Sequence, residues 1–326
     1  MPGGHVPEPG PPGVIHLVTS EYPPFPGGVA TWSAAVARAL HAAGVPIRVY
    51  GHWGEGEGPV PFTRLWGRSW NRHGHQFTAL QVRPRLRSGD VVLASTWPLA
   101  AGLAAEARPL VAWHGSDLTR PAGIQGRERV RDGAVNLVVS RFLGARLGAP
   151  STWLPFPIVP REPVVRGDAL LVVARLVKTK GVDRVLRLGA RLGRPVVVVG
   201  EGPERPGLEA LAVELGVRAT FLGATREVPW GGTWALALLS RPHEGGGGEE
   251  GLGLVLLEAA ARGIPSIGSA CGGIPEAASV VLADPENDDV PALPDATSVQ
   301  DWLRATHGPD RFLAAFDLAL AERSRA

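Results

Sequence analysis

Two glutamates, Glu250 and Glu258, stand eight residues apart in Ser240–Glu276, the stretch of the chain richest in glycine and paired acid. A carboxylate accepts hydrogen bonds from two hydroxyls, so paired acids suit a polyhydroxylated ligand. The apolar run LGLVLLEAAARG predicts a helix beginning near Leu252, with Glu258 on its second turn. At ~100° per residue the two acids then differ by about 80° around the axis, and both can serve one cleft. Upstream, Lys178 and Lys180 are the only lysines in the 326 residues, in VKTKGVD directly after the apolar run ALLVVARL. Arg175 at the end of that strand and Lys180 before the next helix can clamp a diphosphate through charge-assisted hydrogen bonds. Surface lysines on an ordinary strand-to-helix turn are the plain alternative.

Other residue types invite weaker readings. VIHLVTS (Val14–Ser20), then EYPPFPGG, then VATWSAAVARALHAAG reads as strand, glycine turn and helix, with Gly27 and Gly28 at the turn. Such a turn aims backbone N–H groups at an anion or a sugar hydroxyl, and equally suits a simple connection. VVVVGEGP has glycines at 200 and 202 but Arg205 where a dinucleotide fingerprint needs a third, which argues against nicotinamide binding. His73 and His75 lack a third ligand at useful spacing, so no metal site is expected. The single cysteine, Cys271, has no paired base in view and reads as a packing residue in a reducing compartment.

The elements that must position these residues alternate. Strands are expected at Val14–Ser20, Pro46–Gly51, Asp90–Thr96, Pro109–Gly115 and Val135–Ser140, with helical segments between them. PFPIVPREPVVRG (Pro155–Gly167) lacks periodicity and reads as a linker. The alternation then resumes at Ala169–Leu176 and continues through RPVVVVG, RATFLG, WALALLS and IPSIGS. Residues 1–13 read as a loose tail, 14–154 as a first Rossmann-like lobe, 155–167 as the linker and 168–326 as a second lobe, with the last helix free to pack back on the first. A ligand cleft between two such lobes is the default expectation.

Composition narrows the partners. Hydrophobic residues make up 44% and charged ones 20%, which suits a globular chain, and a net charge of +2 gives no case for nucleic acid. No apolar run reaches the length of a membrane span, and the start has no signal-peptide pattern, so a cytoplasmic location is expected. Pro61–Asp90 carries six arginines against one acid, with Trp66, Trp70, His73 and His75 interleaved. Arg64, Arg68 and Arg72 would line one side of a helix and meet a phosphate-bearing acceptor or an anionic membrane surface, or form a solvated face.

In order, PPFPGGVATW, HGSD at His114–Asp117, ARLVKTKGVDRVL, VVGEGPE, FLG and EGLGLVLLEAAARGIPSIGSACGGIPE, with its glutamate, seven residues and glutamate, resemble the retaining GT-B glycosyltransferases of family 4. The resemblance covers most of the chain. It implies an α/β fold of two Rossmann-like parallel-sheet lobes facing a central cleft. It also implies transfer of a sugar from an NDP-sugar (UDP-, GDP- or ADP-linked) to a hydroxyl acceptor, without cofactor or metal. By the same resemblance Gly27 and Gly28 sit by the donor phosphates and the acceptor, and His114 lies beside the transferred sugar. Arg175 and Lys180 hold the diphosphate, Glu250 with the backbone of Gly251, Leu252, Gly253 and Leu254 touches the sugar, and Glu258 binds the ribose hydroxyls. The metal-binding D-x-D motif of GT-A enzymes does not occur in the sequence. Ala174 stands where the family commonly has glycine, and HEGGGGEE is unusually glycine-rich, which leaves a mobile sugar loop as an expectation. A sugar-nucleotide epimerase and a non-catalytic sugar-nucleotide binder on the same fold are the alternatives.

Overall fold

The structure, a computed structural model, describes residues 13–56, 58–67, 74–103, 108–119, 126–225, 227–242 and 250–325. The tail at 1–12 and the glycine run at 243–249, with its expected mobility, lie outside the described residues.

Two sheets form. The first contains β1 (Ile15–Glu21), β2 (Ile47–Trp53), β3 (Phe62–Arg64), β4 (Val91–Ala94), β5 (Leu110–Trp113), β6 (Val135–Val138) and β7 (Thr152–Trp153), in the order β3-β2-β1-β4-β5-β6-β7. The second contains β8 (Ala169–Val173), β9 (Val196–Val199), β10 (Ala219–Gly223), β11 (Thr233–Leu238), β12 (Ser266–Ser269) and β13 (Val280–Leu282), in the order β10-β9-β8-β11-β12-β13. The pairings are parallel, with Ile15 opposite both Ile47 and Val91 in the first sheet, and Leu170 opposite Val196 in the second. Both orders run out one way from the first strand and then return to its other side. That reversal is the doubly wound plan, and it places a ligand crevice outside the C-terminal ends of the two strands that flank it. Inner strands such as β4 and β5 are apolar runs buried along their whole length, as parallel strands covered on both faces are, while β3, β7, β10 and β13 at and near the edges are only partly buried. In the second sheet Leu170, Val172, Val198, Ala235, Ala237 and Ile267 form a core with Val185 and Leu186 of the helix Val182–Leu192.

The chain divides into two compact units: Met1–Trp113 with Ala122–Leu137 and Asp317–Ala326, and His114–Pro121 with Val138–Phe316. The 155–167 segment falls inside the second. The final residues join the first through Arg323, whose guanidinium donates to the backbone oxygens of Arg108 and Asp90 at 3.2 and 3.1 Å.

The arginine stripe departs from its expectation. Arg64 ends β3, which pairs with β2 through Val49–Phe62, Tyr50–Thr63 and Gly51–Arg64. Strand pairing of an aromatic and β-branched triplet outweighs a four-residue charge spacing there, so no helix face runs through Arg64. Arg68, Trp70, Arg72 and His73 lie outside the described residues; a helix then occupies Gly74–Val82. No helix among the described residues is long and apolar enough to cross a membrane.

Candidate active site

Helices are labelled in chain order: α1 (Gly28–Ala42), α2 (Gly74–Val82), α3 (Trp97–Ala100), α4 (Ser116–Thr119), α5 (Arg127–Gly133), α6 (Arg141–Leu147), α7 (Val182–Leu192), α8 (Arg205–Glu214), α9 (Leu254–Ala260), α10 (Ala296–His307) and α11 (Pro309–Ser324).

Lys180 lies just past β8, the strand at which the second sheet reverses. A single 3₁₀ turn, Lys178–Lys180, follows the strand, and Gly181 then enters α7 with φ 64°. Only glycine fits there: a Cβ would stand 1.9 Å from the Leu239 carbonyl oxygen in a backbone conformation that side chains rarely adopt. The turn is fixed again by Arg241, whose N–H donates to the Thr179 oxygen (2.8 Å) and whose guanidinium grips both oxygens of Asp183 at 2.6 Å. Lys180 is therefore presented by a rigid turn, and its ammonium pairs with the Glu250 carboxylate. Both side chains are about one-fifth exposed, so the pair is shielded but reachable.

Arg175 is held by its neighbours. Ala174 N–H donates to Val199 O and Leu176 N–H to Glu201 O, at 3.0 and 2.9 Å. Gly200 and Gly202 allow that clasp, since a Cβ would come within 1.9 Å of the Ala174 oxygen at the first and 2.3 Å of the Leu176 oxygen at the second. The glycines of VVGEGPE thus serve close backbone packing. The Arg175 side chain is exposed and makes no ion pair among the described residues.

Three backbone runs stack at the glutamate loop. A Cβ on Gly251 would lie 2.0 Å from the His114 oxygen; on Gly272, 2.2 Å from the Glu250 oxygen; on Gly273, 2.1 Å from the Gly251 oxygen. The Gly273 N–H donates to Glu250 O at 2.9 Å. His114, Glu250, Gly251 and the CGGIPE turn are thereby brought together, with Lys180 joined through its ion pair. The helix starts later than expected: Gly253, with φ 84°, caps α9, which begins at Leu254, so Leu252 precedes the helix. The left-handed glycine breaks the apolar periodicity that would have carried the helix two residues further back. Residues 251–253 are buried in consequence.

His114 opens a turn held by Asp117, whose carboxylate accepts from the His114 N–H (3.0 Å) and the Gly115 N–H (2.8 Å). Burial pushes the Asp117 carboxyl up to about 6, against the pull of those N–H donors. Glu258, on α9, is half-buried; burial raises its pKa, and the charges of Arg262 and Arg161 pull it partly back. Arg262 lies over the Trp230 ring at 4.4 Å, and the Arg161 backbone is tied to Ala261 O and to the Gln300 side chain. Gly27 and Gly28 lie at the start of α1 in the first unit.

Sequence reasoning missed Arg161, Arg262, Asp183, Arg241 and Glu276. Glu276 of CGGIPE accepts from the N–H groups of Arg141 and Phe142, both at 2.8 Å, and so pins the Gly272–Gly273 turn to the start of α6. Apart from Arg262, which lies four residues past Glu258, the partners are far apart in the chain and have no local spacing signal. A pocket of about 850 Å³ opens between the Lys178–Lys180 turn, α7 and α8, and none of Arg175, Lys180, Glu250 or Glu258 lines it. Among the described residues no three His, Cys, Asp or Glu side chains converge as a metal site would require.

The turn after β8 thus carries a cation with a carboxylate paired to it, and the helix that follows the glutamate loop carries a second, half-buried carboxylate. The family model described as "Glycosyl transferases group 1" matches residues 160–280, which span these three groups. A GDP-mannose-dependent alpha-(1-6)-phosphatidylinositol monomannoside mannosyltransferase of Mycobacterium tuberculosis is 28% identical, over 80% of this chain and 82% of its own. A D-inositol 3-phosphate glycosyltransferase of Mycobacterium leprae is 32% identical over 53% of this chain and 38% of its own. Among solved structures, the glycosyltransferase AviGT4 superposes with a TM-score of 0.71 at 19% identity, covering 94% of this chain and 98% of that one. Anabaena HepE, solved with UDP and glucose, gives 0.68 at 15%, covering 94% and 99%. The doubly wound sheets are those of the GT-B fold, and residues 160–280 match the group 1 glycosyltransferase model.

Proposed function

We propose that the protein transfers mannose from GDP-mannose to a hydroxyl of an inositol- or mannose-bearing acceptor, with retention and without a metal ion. The Lys180–Glu250 pair carries this reading, because it holds a cation for the donor and a carboxylate for the sugar at one point. On donor binding the ammonium exchanges Glu250 for the diphosphate, with Arg175 as the second cation. Glu250, freed, accepts from hydroxyls of the sugar beside His114 and the Gly251–Leu254 backbone, and Glu258 accepts from the ribose. The acceptor oxygen attacks the anomeric carbon on the face from which the diphosphate departs. The C–O bond to phosphate breaks with its electron pair going to the diphosphate, which takes the acceptor's proton. Two fixed cations stabilise the charge that develops on the leaving group. The choice of mannose and GDP follows the mannosyltransferase relatives.

The test is direct. The protein is incubated with GDP-mannose, UDP-glucose or ADP-glucose, each with D-inositol 3-phosphate or phosphatidylinositol monomannoside in mixed micelles, and products are resolved by mass spectrometry and anomeric NMR. An α-mannosylated product, formed equally in EDTA, is expected. An altered sugar nucleotide formed without acceptor would mean an epimerase, and GDP binding with no transfer or donor hydrolysis would mean a non-catalytic binder.

Glu258→Gln gives a second expected outcome. The amide keeps shape but accepts less strongly from ribose, so GDP affinity should fall about tenfold or more, equivalent to ~1.4 kcal/mol or more. The sign for stability is opposite. A carboxyl whose pKa is raised by folding stabilises the ligand-free protein least when ionised, so the substitution should raise Tm near pH 8 and leave it unchanged near pH 4. Calorimetric titration with GDP and scanning calorimetry at the two pH values check both.

We also place the protein at the cytoplasmic face of a membrane. Trp66 is 57% and Leu80 63% exposed; the Trp66 ring packs tilted against Phe77 with centroids 5.2 Å apart, and its backbone is fixed from both sides by the Gln81 amide. A rigid exposed aromatic beside the exposed Arg64 suits an interface of anionic headgroups and acyl chains. Cosedimentation with vesicles containing phosphatidylinositol should fall severalfold on Trp66→Ala with Leu80→Ser; equal binding by that variant would remove the assignment.

A further inference from the structure

Glu258 carries its charge with no direct partner. Its carboxylate is half-buried and makes no hydrogen bond or ion pair among the described residues. Two guanidiniums act on it from beyond ion-pair distance, Arg262 just past its own helix and Arg161 of the 155–167 segment, and they offset part of the cost of burial. From α10 the group packed against this corner is neutral: the Gln300 amide donates to the Arg161 and Ala261 oxygens at 2.7 and 3.0 Å.

Distance matters here, because a guanidinium in contact would fill the acceptor positions that ligand hydroxyls need. Arg262 is kept back by two contacts. Its Nη1 donates to the backbone oxygen of Glu258, four residues earlier, at 2.7 Å, and its guanidinium lies over the Trp230 ring, 4.4 Å from the centroid. Trp230 stands in the connection from β10 to β11. The backbone beneath is fixed too. The Arg161 N–H donates to Ala261 O at 2.6 Å and the Val164 N–H to Arg262 O at 3.2 Å, while Gly263, with φ 70°, turns the chain where a Cβ would stand 2.7 Å from Ala296. Burial and the Arg161 charge both work against the ionisation of Arg262, and Glu258 alone favours it. What the charge adds at this place is a field on Glu258. We infer that Arg262 is a positioning residue: seated on Trp230, it holds a positive charge behind the Glu258 carboxylate and leaves both carboxylate oxygens open to a pair of ligand hydroxyls. Its bearing on the ligand rests on the reading of Glu258 as the ribose acceptor, and its electrostatics on the second unit's geometry.

Removing the cation disfavours the ionised carboxyl, so Glu258 should protonate at higher pH and then accept more weakly. Carbon-13 NMR of the glutamate-labelled full-length protein, with the Glu258 resonance assigned from Glu258→Gln, reads that midpoint, and titration calorimetry with GDP is run across the same pH range. Arg262→Met keeps an unbranched stem and removes the charge. Its Glu258 midpoint should rise by about one pH unit, and the pH below which GDP affinity drops should rise by the same interval, with affinity near pH 8.5 within about twofold of wild type. Arg262→Lys keeps the charge and should restore the wild-type midpoint. Trp230→Leu frees the guanidinium to close on the carboxylate, so the midpoint should not rise while GDP affinity falls about threefold or more at every pH. A residue present only for packing would lower Tm in Arg262→Met and move neither profile. The inference is overturned if the midpoint in Arg262→Met stays within about 0.3 of wild type, if Arg262→Lys shifts it as far as methionine does, or if Trp230→Leu binds GDP like wild type while Glu258→Gln does not. A shifted midpoint with one GDP affinity for wild type, Arg262→Met and Glu258→Gln would keep the charge-holding role and sink the ribose reading of Glu258 instead.

Discussion

Replacing Lys180 with alanine should lower kcat/KM for sugar transfer by about 10²–10³, the usual effect of deleting one preorganised group that meets transition-state charge. Lys180 is the cation that the fold takes most trouble to fix. Gly181 behind it admits no side chain, and Arg241 locks its turn through Thr179 and Asp183. GDP affinity should fall as well, since the ammonium exchanges Glu250 for phosphate oxygens. The substitution has a structural side: it leaves the Glu250 carboxylate, about one-fifth exposed, without its cation. Because the site is partly wet, that should destabilise the ligand-free protein by only about 1–2 kcal/mol, below the figure for a fully buried pair. The two effects can be separated. Lys180→Ala combined with Glu250→Gln removes both charges and should recover most of the stability while transfer stays low. Lys180→Arg keeps the charge but not the compact point geometry, so GDP affinity should survive better than turnover. Titration calorimetry, thermal denaturation and steady-state kinetics on the three variants decide it. Turnover and GDP affinity within twofold of wild type in Lys180→Ala would dismiss Lys180 from the site.

The tandem alternation was legible because β1, β2, β8, β9 and β11 are short apolar runs bounded by glycine, proline or charged residues, a local signal that parallel strands impose. Strand order was not: nothing in Val14–Ser20 or Ala169–Leu176 says that its neighbours lie on both sides, yet both sheets reverse at these strands. Lys180 and Glu250 were found from composition and spacing, since two lysines in an arginine-rich chain and two glutamates in a glycine run stand out. Their ion pair was not legible, being a contact across seventy residues. The same holds for Arg161 beside Glu258 and for Glu276 on the start of α6, whereas Arg262 stands only four residues past Glu258 and its spacing was there to be read. Arg64 shows the reverse failure: a charge spacing suggested a helix, and three residues of strand pairing decided otherwise. In sequence Gly251, Gly272 and Gly273 are only part of a glycine-rich stretch, whereas in the structure each is glycine because another backbone lies where its Cβ would be.

That difference makes Gly251→Ala the sharper test of the site's geometry. The added methyl would stand 2.0 Å from the His114 oxygen, 2.9 Å from the carbonyl carbon and 3.5 Å from Leu143, so backbone has to move. Two backbone runs must separate, and the compact strands of the second sheet need not, because β8, β11 and β12 are paired away from this point. The expected stability cost is that of local overpacking, about 1–3 kcal/mol, with a cooperative unfolding transition retained. The functional cost should be larger. Displacing His114 from Glu250 by about 1 Å breaks the alignment of the groups proposed to face the transferred sugar, and errors of that size cost about 10²-fold in rate. Gly272→Ala should behave alike, since its methyl would meet the Glu250 oxygen at 2.2 Å and its φ of 61° adds strain. Gly207→Ala, on an open face of α8 with nothing within 4 Å, is the control and should leave both stability and rate intact. Denaturant titration paired with single-turnover kinetics reads the two costs separately. If Gly251→Ala lost stability but kept its rate, the His114 and Glu250 runs would be neighbours by packing alone; a lost rate with GDP affinity within a few fold would tie their spacing to the sugar-transfer step.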